Sequence, residues 1–184
     1  MSALFKDHPL TDAERLWLEA VYEDSLLFDP KTARVRLHDK LPKGFDPKKI
    51  DGRFLLNGRK LTFLGISRIH PEAPIVATVE RVIRKIHDLI LEQPGIETFT
   101  AESLGDALGI DETEVGKALE HISTFGGFYS QASGRSDSTG FLSITLAGDN
   151  AYDAYLDFES LESLMEQYYE SRANTSEGSG ARRE

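Results

Sequence analysis

The chain has 184 residues, 40% of them apolar, and a formal net charge of -10, which suits one domain or two small ones. It has no cysteine, which excludes disulfides, thiolate metal sites and cysteine nucleophiles and fits a reducing compartment. The start, MSALFKDHPL, lacks the apolar run of a secretory signal, and no stretch approaches the ~18 apolar residues of a spanning helix, so a soluble, cytoplasmic protein with no membrane partner is expected.

The first helix opens at Thr11, where Thr11-Asp-Ala-Glu14 matches a capping box with glutamate at the third helical position. Leu16, Trp17, Val21 and Tyr22, with Leu18 nearby, form an apolar stripe at helical spacing. The residue before a proline disfavours the α region, so the helix should end before Asp29-Pro30. Residues 32–41 fit either a short helix or a strand. Pro42-Lys43-Gly44 reads as a loop, and Asp46-Pro47 as an N-cap followed by proline at the first helical position. A helix over about 47–56 would carry Lys48, Lys49 and Arg53 outward and Ile50, Phe54 and Leu55 inward. Asn57-Gly58 is a turn signal, and Arg59 to Ile69 alternates like a strand, kinked at Gly65.

Pro74 opens a longer helix through about Glu92. Ile75, Val79, Val82, Ile86 and Leu89 recur at helical spacing, and Val76, Ile83 and Ile90 widen the stripe. It reads as a central linking helix, packed between two halves of the chain or serving in part as a dimer seam. Pro94-Gly95 ends it.

Thr98 to Gly148 carries the clearest pattern. Thr100 is a plausible N-cap, and Ala101 to Leu108 buries Leu104 and Leu108. Gly109 supplies a left-handed turn, and Asp111-Glu-Thr-Glu114 starts a second helix with Val115, Leu119 and Ile122 inward. That helix ends at Gly126-Gly127. Phe128-Tyr129 and Phe141 to Leu146 are strand-like and flank the loop SGRSDSTG. Two short helices at a tight turn, followed by a hairpin, are the plan of a winged helix-turn-helix. A last helix should run to about Tyr169, with Tyr152, Leu156, Leu161, Leu164, Met165 and Tyr168 on its apolar side. Residues 171–184 are polar and expected to be disordered.

Ser143-Ile-Thr-Leu-Ala-Gly148, closing a strand and opening a helix, resembles the end of the wing in MarR-like and PadR-like winged-helix regulators. Leu61-Thr-Phe-Leu-Gly65 has the same shape, which suggests a tandem duplication. The resemblance covers residues 98–169 well and 11–69 weakly. It implies an α+β, mostly helical protein of tandem winged helix-turn-helix units joined by a long central helix, with a C-terminal helix. The expected divisions are a basic unit at 1–70, the linking helix at 71–95, an acidic unit at 96–148, the C-terminal helix at 149–170 and the tail at 171–184. Members of this superfamily often bind DNA, and many are protein-interaction modules.

Charge separates those two roles. Residues 31–69 hold eleven Lys/Arg against Asp39, Asp46 and Asp51, whereas residues 70–184 hold eight against twenty-one acids. The second unit's exposed helix carries Asp111, Glu112, Glu114 and Glu120 against Lys117, the wrong sign for a phosphate backbone. The candidate nucleic-acid contacts are therefore Arg34, Arg36, Lys40, Lys43, Lys48, Lys49, Arg53, Arg59, Lys60 and Arg68, with duplex DNA as the leading partner. The competing partner of this block is an acidic protein, or the acidic part of a second copy. Ile75, Val79, Val82, Ile86, Leu89, Leu161, Met165 and Tyr168 are candidate homodimer or partner contacts. His8, His38, His70, His87 and His121 are scattered without metal spacing, and no glycine motif cradles a phosphate. No catalytic, metal or cofactor residue is singled out, so a non-enzymatic protein without a cofactor is expected. Its role is that of a regulator-like DNA binder or an adaptor subunit in a larger complex.

Overall fold

The computed structural model describes residues 9–26, 37–56, 58–125, 128–130 and 140–178. The chain is α+β and mostly helical, and divides into two compact units, residues 1–76 and 77–184.

The first unit is built on helix α1 (Asp12–Leu26). Glu14 Oε2 accepts from the Thr11 amide and from Thr11 Oγ1, both at 2.8 Å, and Thr11 Oγ1 accepts from the Glu14 amide at 3.3 Å. This is the predicted capping box. Trp17, Leu18, Ala20 and Val21 face inward, while Leu16 lies on the exposed side. The expected stop at Asp29-Pro30 lies outside the described residues. At Leu37 the chain makes a single turn, with the amides of Lys40 and Leu41 both donating to the Leu37 carbonyl.

The predicted helix over 47–56 is instead one 3-10 turn, Pro47–Lys49, capped by Asp46. Its continuation is diverted at Asp51. The Asp51 carboxylate takes the Arg53 amide at 2.9 Å and the Arg53 guanidinium at 2.6 to 3.1 Å, and the chain then enters strand β1 (Leu55–Leu56). β1 pairs antiparallel with β2 (Lys60–Leu61), Leu55 opposite Leu61, so two strands flank the expected turn where a helix was expected to lead into it; Asn57 itself lies outside the described residues.

The expected strand to Ile69 is also corrected. Thr62 leaves the ladder and caps helix α2 (Phe63–Ile69), its Oγ1 accepting from the Gly65 amide at 3.0 Å and donating to the Arg53 carbonyl. Gly65 is no strand kink but a point of contact. A Cβ there would stand 2.2 Å from the Phe54 carbonyl oxygen. α1 packs on α2 and β2, with Phe54, Phe63 and Leu64 in the core between them.

Helix α3 (Pro74–Glu92) matches its predicted span. All but its first three residues fall in the second unit, with Val79, Val82, Ile83, Ile86 and Ile90 buried. Strand β3 (Thr98–Thr100) follows, then helices α4 (Ala101–Leu108) and α5 (Glu112–Ile122). Thr100 and Asp111 cap the two helices, and Gly109 adopts φ 63°, ψ 38°, the left-handed conformation that lets them meet at a tight corner.

Strands β4 (Phe128–Ser130) and β5 (Ser143–Leu146) close an antiparallel sheet of order β3-β5-β4. Gly126-Gly127 and residues 131–139 of the loop lie outside the described residues. Where the chain returns, the Phe141 amide donates to the Gly116 carbonyl of α5 at 2.9 Å. α4 packs on α5, and β5 carries both α5 and the following helix.

The predicted last helix is two, α6 (Asp149–Leu156) and α7 (Leu161–Gly178). Ser160 breaks it by starting a new helix: its Oγ accepts from the Ser163 amide at 3.1 Å. α7 runs on to Gly178, into the stretch expected to be disordered.

Two consequences are measurable. Gly65→Ala forces the α2 backbone off Phe54 and is expected to destabilise the first unit by about 1–3 kcal/mol, read as a lower denaturation midpoint. Tyr155 is fully buried, and burial holds its phenol well above the ordinary value of 10.0. The unfolded chain releases that proton first, so stability is intact below about pH 10 and falls as pH rises further. Tyr155→Phe should lose less stability between pH 9 and 11 than the parent, measured by urea denaturation across that interval.

Candidate nucleic-acid interface

The cations of the first unit are held by a junction of two turns. The Asp46 side chain caps the 3-10 turn by accepting from the Lys48 amide at 3.1 Å, and Pro47 presets its first φ. The β1–β2 turn passes over it at Gly58, which adopts φ +70°. A Cβ on Gly58 would lie 3.1 Å from the Lys48 amide nitrogen and 3.3 Å from Lys48 Cγ, so the backbone conformation favours glycine and the space beside Lys48 is tight for anything larger. Trp17 fixes this junction from below. Its Nε1 donates to the Gly58 carbonyl at 3.3 Å, and its ring lies 6.3 Å from that of Phe45.

This places Lys48 beside Gly58, the neighbour of Arg59, and Lys48, Lys49, Arg59 and Lys60 are all exposed. Lys43 is exposed in the preceding turn, where the Phe45 amide donates to the Pro42 carbonyl at 3.1 Å. Lys40 is exposed after Leu37. Two predicted contacts drop out of the outward set. The Arg53 guanidinium is half-buried and forked on Asp51, and Arg68 is half-buried on α2. Arg34 and Arg36 lie outside the described residues.

A cleft of about 270 Å³ opens beside the lysines, between the start of α1 and the Gly44–Ile50 turn. Thr11, Glu14, Phe45, Asp46 and Lys49 line it. The sequence reading missed it. Each turn was legible, but nothing in the pattern brings residue 14 to residues 45–49.

The second unit presents the opposite charge. Asp111, Glu112 and Glu114 are exposed on α5 with Lys117, and Glu120 is half-buried. The partner residues predicted on α3 are also corrected. Val79, Val82 and Ile86 are fully buried and Met165 nearly so within one chain, because the stripe is consumed as core. They are not an open seam. Ile75, Leu89, Leu161 and Tyr168 are half-buried, and Tyr168 sets its ring edge-on to Tyr169 at 5.2 Å.

Of the histidines, His38 is exposed beside Asp39, and His70 stacks on Tyr22 at 4.4 Å. His87 lies 5.9 Å from the Phe158 ring, over which Arg84 sits at 5.7 Å. Among the described residues, no group of three or more His, Asp or Glu is placed to hold a metal ion, and no helix is long and apolar enough to cross a membrane. Comparison with protein-family models, with curated proteins and with solved structures finds no match.

Trp17→Phe keeps an aromatic ring, but removes the indole N–H that the buried Gly58 carbonyl uses and leaves a small gap in the core. We expect a loss of about 1–2 kcal/mol, seen as a lower urea midpoint with unchanged slope.

Proposed function

We propose that the protein binds nucleic acid, duplex DNA in the first instance, through the basic face of its first unit. The observation that carries this reading is the seating of Gly58 on Pro47–Lys48. It brings Lys48 against the β1–β2 turn that leads into Arg59 and Lys60, with Lys49 and Lys43 on the adjoining segment. Fixed, solvent-facing cations are what phosphate contact needs, and no catalytic step is part of the reading.

The second unit we read as a winged helix. Support comes from its order, α3-β3-α4-α5-β4-β5, with the last strand lying between the other two. α3 is then the first helix of that unit rather than a linker. The described elements of the first unit do not repeat this order, since a helix follows its hairpin. The acidic α5 does not suit the major groove, and its exposed Glu112 and Glu114 favour a protein-facing use of this unit. That supports a second reading, an adaptor that holds a partner protein or a second copy.

A mobility-shift titration on duplex DNA tests the leading reading. At about 50 mM salt the parent should shift the duplex at micromolar protein. Changing Lys48, Lys49 and Arg59 together to Glu should weaken binding at least tenfold, and the slope of log K against log salt should fall by about 2–3. Absence of any shift by the parent under those conditions overturns nucleic-acid binding and leaves the adaptor reading standing.

A further inference from the structure

The cleft between α1 and the Gly44–Ile50 turn is oddly furnished for a phosphate-binding face. Two carboxylates, Glu14 and Asp46, line it with a single lysine, Lys49. Carboxylates repel phosphate, so the cleft suits a part of the ligand that offers N–H donors. Each carboxylate uses one oxygen for local structure. The capping-box bonds to Thr11 fall on Glu14 Oε2, and the Lys48 amide bonds to Asp46 Oδ1. Among the described residues, no hydrogen bond falls on Glu14 Oε1 or Asp46 Oδ2. Phe45 is half-buried in the same cleft, its position set by Trp17. At about 270 Å³ the space lies just under the ~300–1,000 Å³ of drug-sized ligand sites, room for one fused ring system.

We infer that this cleft binds one unpaired guanine base, while the surrounding lysines and Arg59 hold the adjoining phosphates. Guanine is the one common base whose Watson–Crick edge offers two adjacent donors, N1–H and N2–H, next to the O6 acceptor. Two carboxylate acceptors and one ammonium donor complement that edge. The Phe45 ring gives the base a face to stack on, as aromatic side chains do for unstacked bases. In a duplex this edge is occupied by cytosine, so the ligand is a guanine in a single-stranded tail, loop or bulge. The inference rests on the nucleic-acid reading of the first unit and refines it.

The test uses the full chain and three labelled probes of equal duplex sequence: blunt, with a short guanine tail, and with a thymine tail of the same length. Binding is read by fluorescence anisotropy. The guanine tail should bind about five- to a hundredfold tighter than the other two, the discrimination that a well-matched polar contact to a base edge supplies. Glu14→Gln and Asp46→Asn keep their capping geometry, because glutamine serves in a capping box and asparagine caps as well as aspartate. Each should erase most of the guanine preference, while the blunt duplex binds at least as tightly as it does to the parent, because a charge that repels phosphate has been removed. Equal binding of the three probes by the parent overturns this inference alone, as does a guanine preference that survives both substitutions. Failure to bind any probe overturns the nucleic-acid reading and this one with it.

Discussion

One backbone contact sets the form of the first unit: Gly58 lying on the Pro47–Lys48 turn. An ordinary residue would meet it with both a strained φ and a Cβ against Lys48. Buried Trp17 completes the contact through its indole N–H, and a buried carbonyl left without a donor is costly. The contact joins the Pro47–Lys49 turn to the start of β2 and brings Lys48 close to Gly58 and Arg59. Like charges held close repel, so the junction is bought with core packing beneath it. A charged ligand would relieve that repulsion.

The same economy of close backbone approach appears in the second unit. Gly140 returns from the loop onto Gly116 of α5, so near that a Cβ would stand 2.2 Å from the Gly116 carbonyl carbon. This seats β5 against the helix and leaves the helix's outer face, with Glu112 and Glu114, to solvent. The two units thus offer surfaces of opposite sign. Neither depends on an open apolar seam, because the stripe of α3 is spent inside the chain. Interactions between such exposed charges are screened over roughly 8 Å at physiological salt, so charge alone would act only at short range on either face.

Several features were legible because they are local. Thr11 with Glu14, Asp46 before Pro47, Thr100, Gly109 and Asp111 all declare themselves over three or four residues, and each does what its spacing predicts. The α3 span was legible because a long stripe at helical spacing admits few alternatives. Ile50, Phe54 and Leu55 satisfy a helical pattern, and Arg59 to Ile69 a strand pattern, but other contacts decide: a local fork of Arg53 on Asp51 that competes with the helix, and two approaches between segments, Thr62 on the Arg53 carbonyl and Gly65 on Phe54. A pattern of apolar positions records which side chains go inside. It does not record which backbone will lie against which.

The sequence by itself determined the helix starts at Thr11, Pro74, Thr100 and Asp111, the turn at Gly109, the basic and acidic blocks, and an α+β chain rich in helix. Those follow from capping chemistry, backbone conformation and charge, which act within a few residues. Only the tertiary structure decided that Thr62 turns onto the Arg53 carbonyl, that Val79, Val82 and Ile86 are core, and that Glu14 comes to Phe45 and Lys49 across a cleft. Each of these depends on residues distant in sequence meeting through packing, and packing is a property of the folded chain.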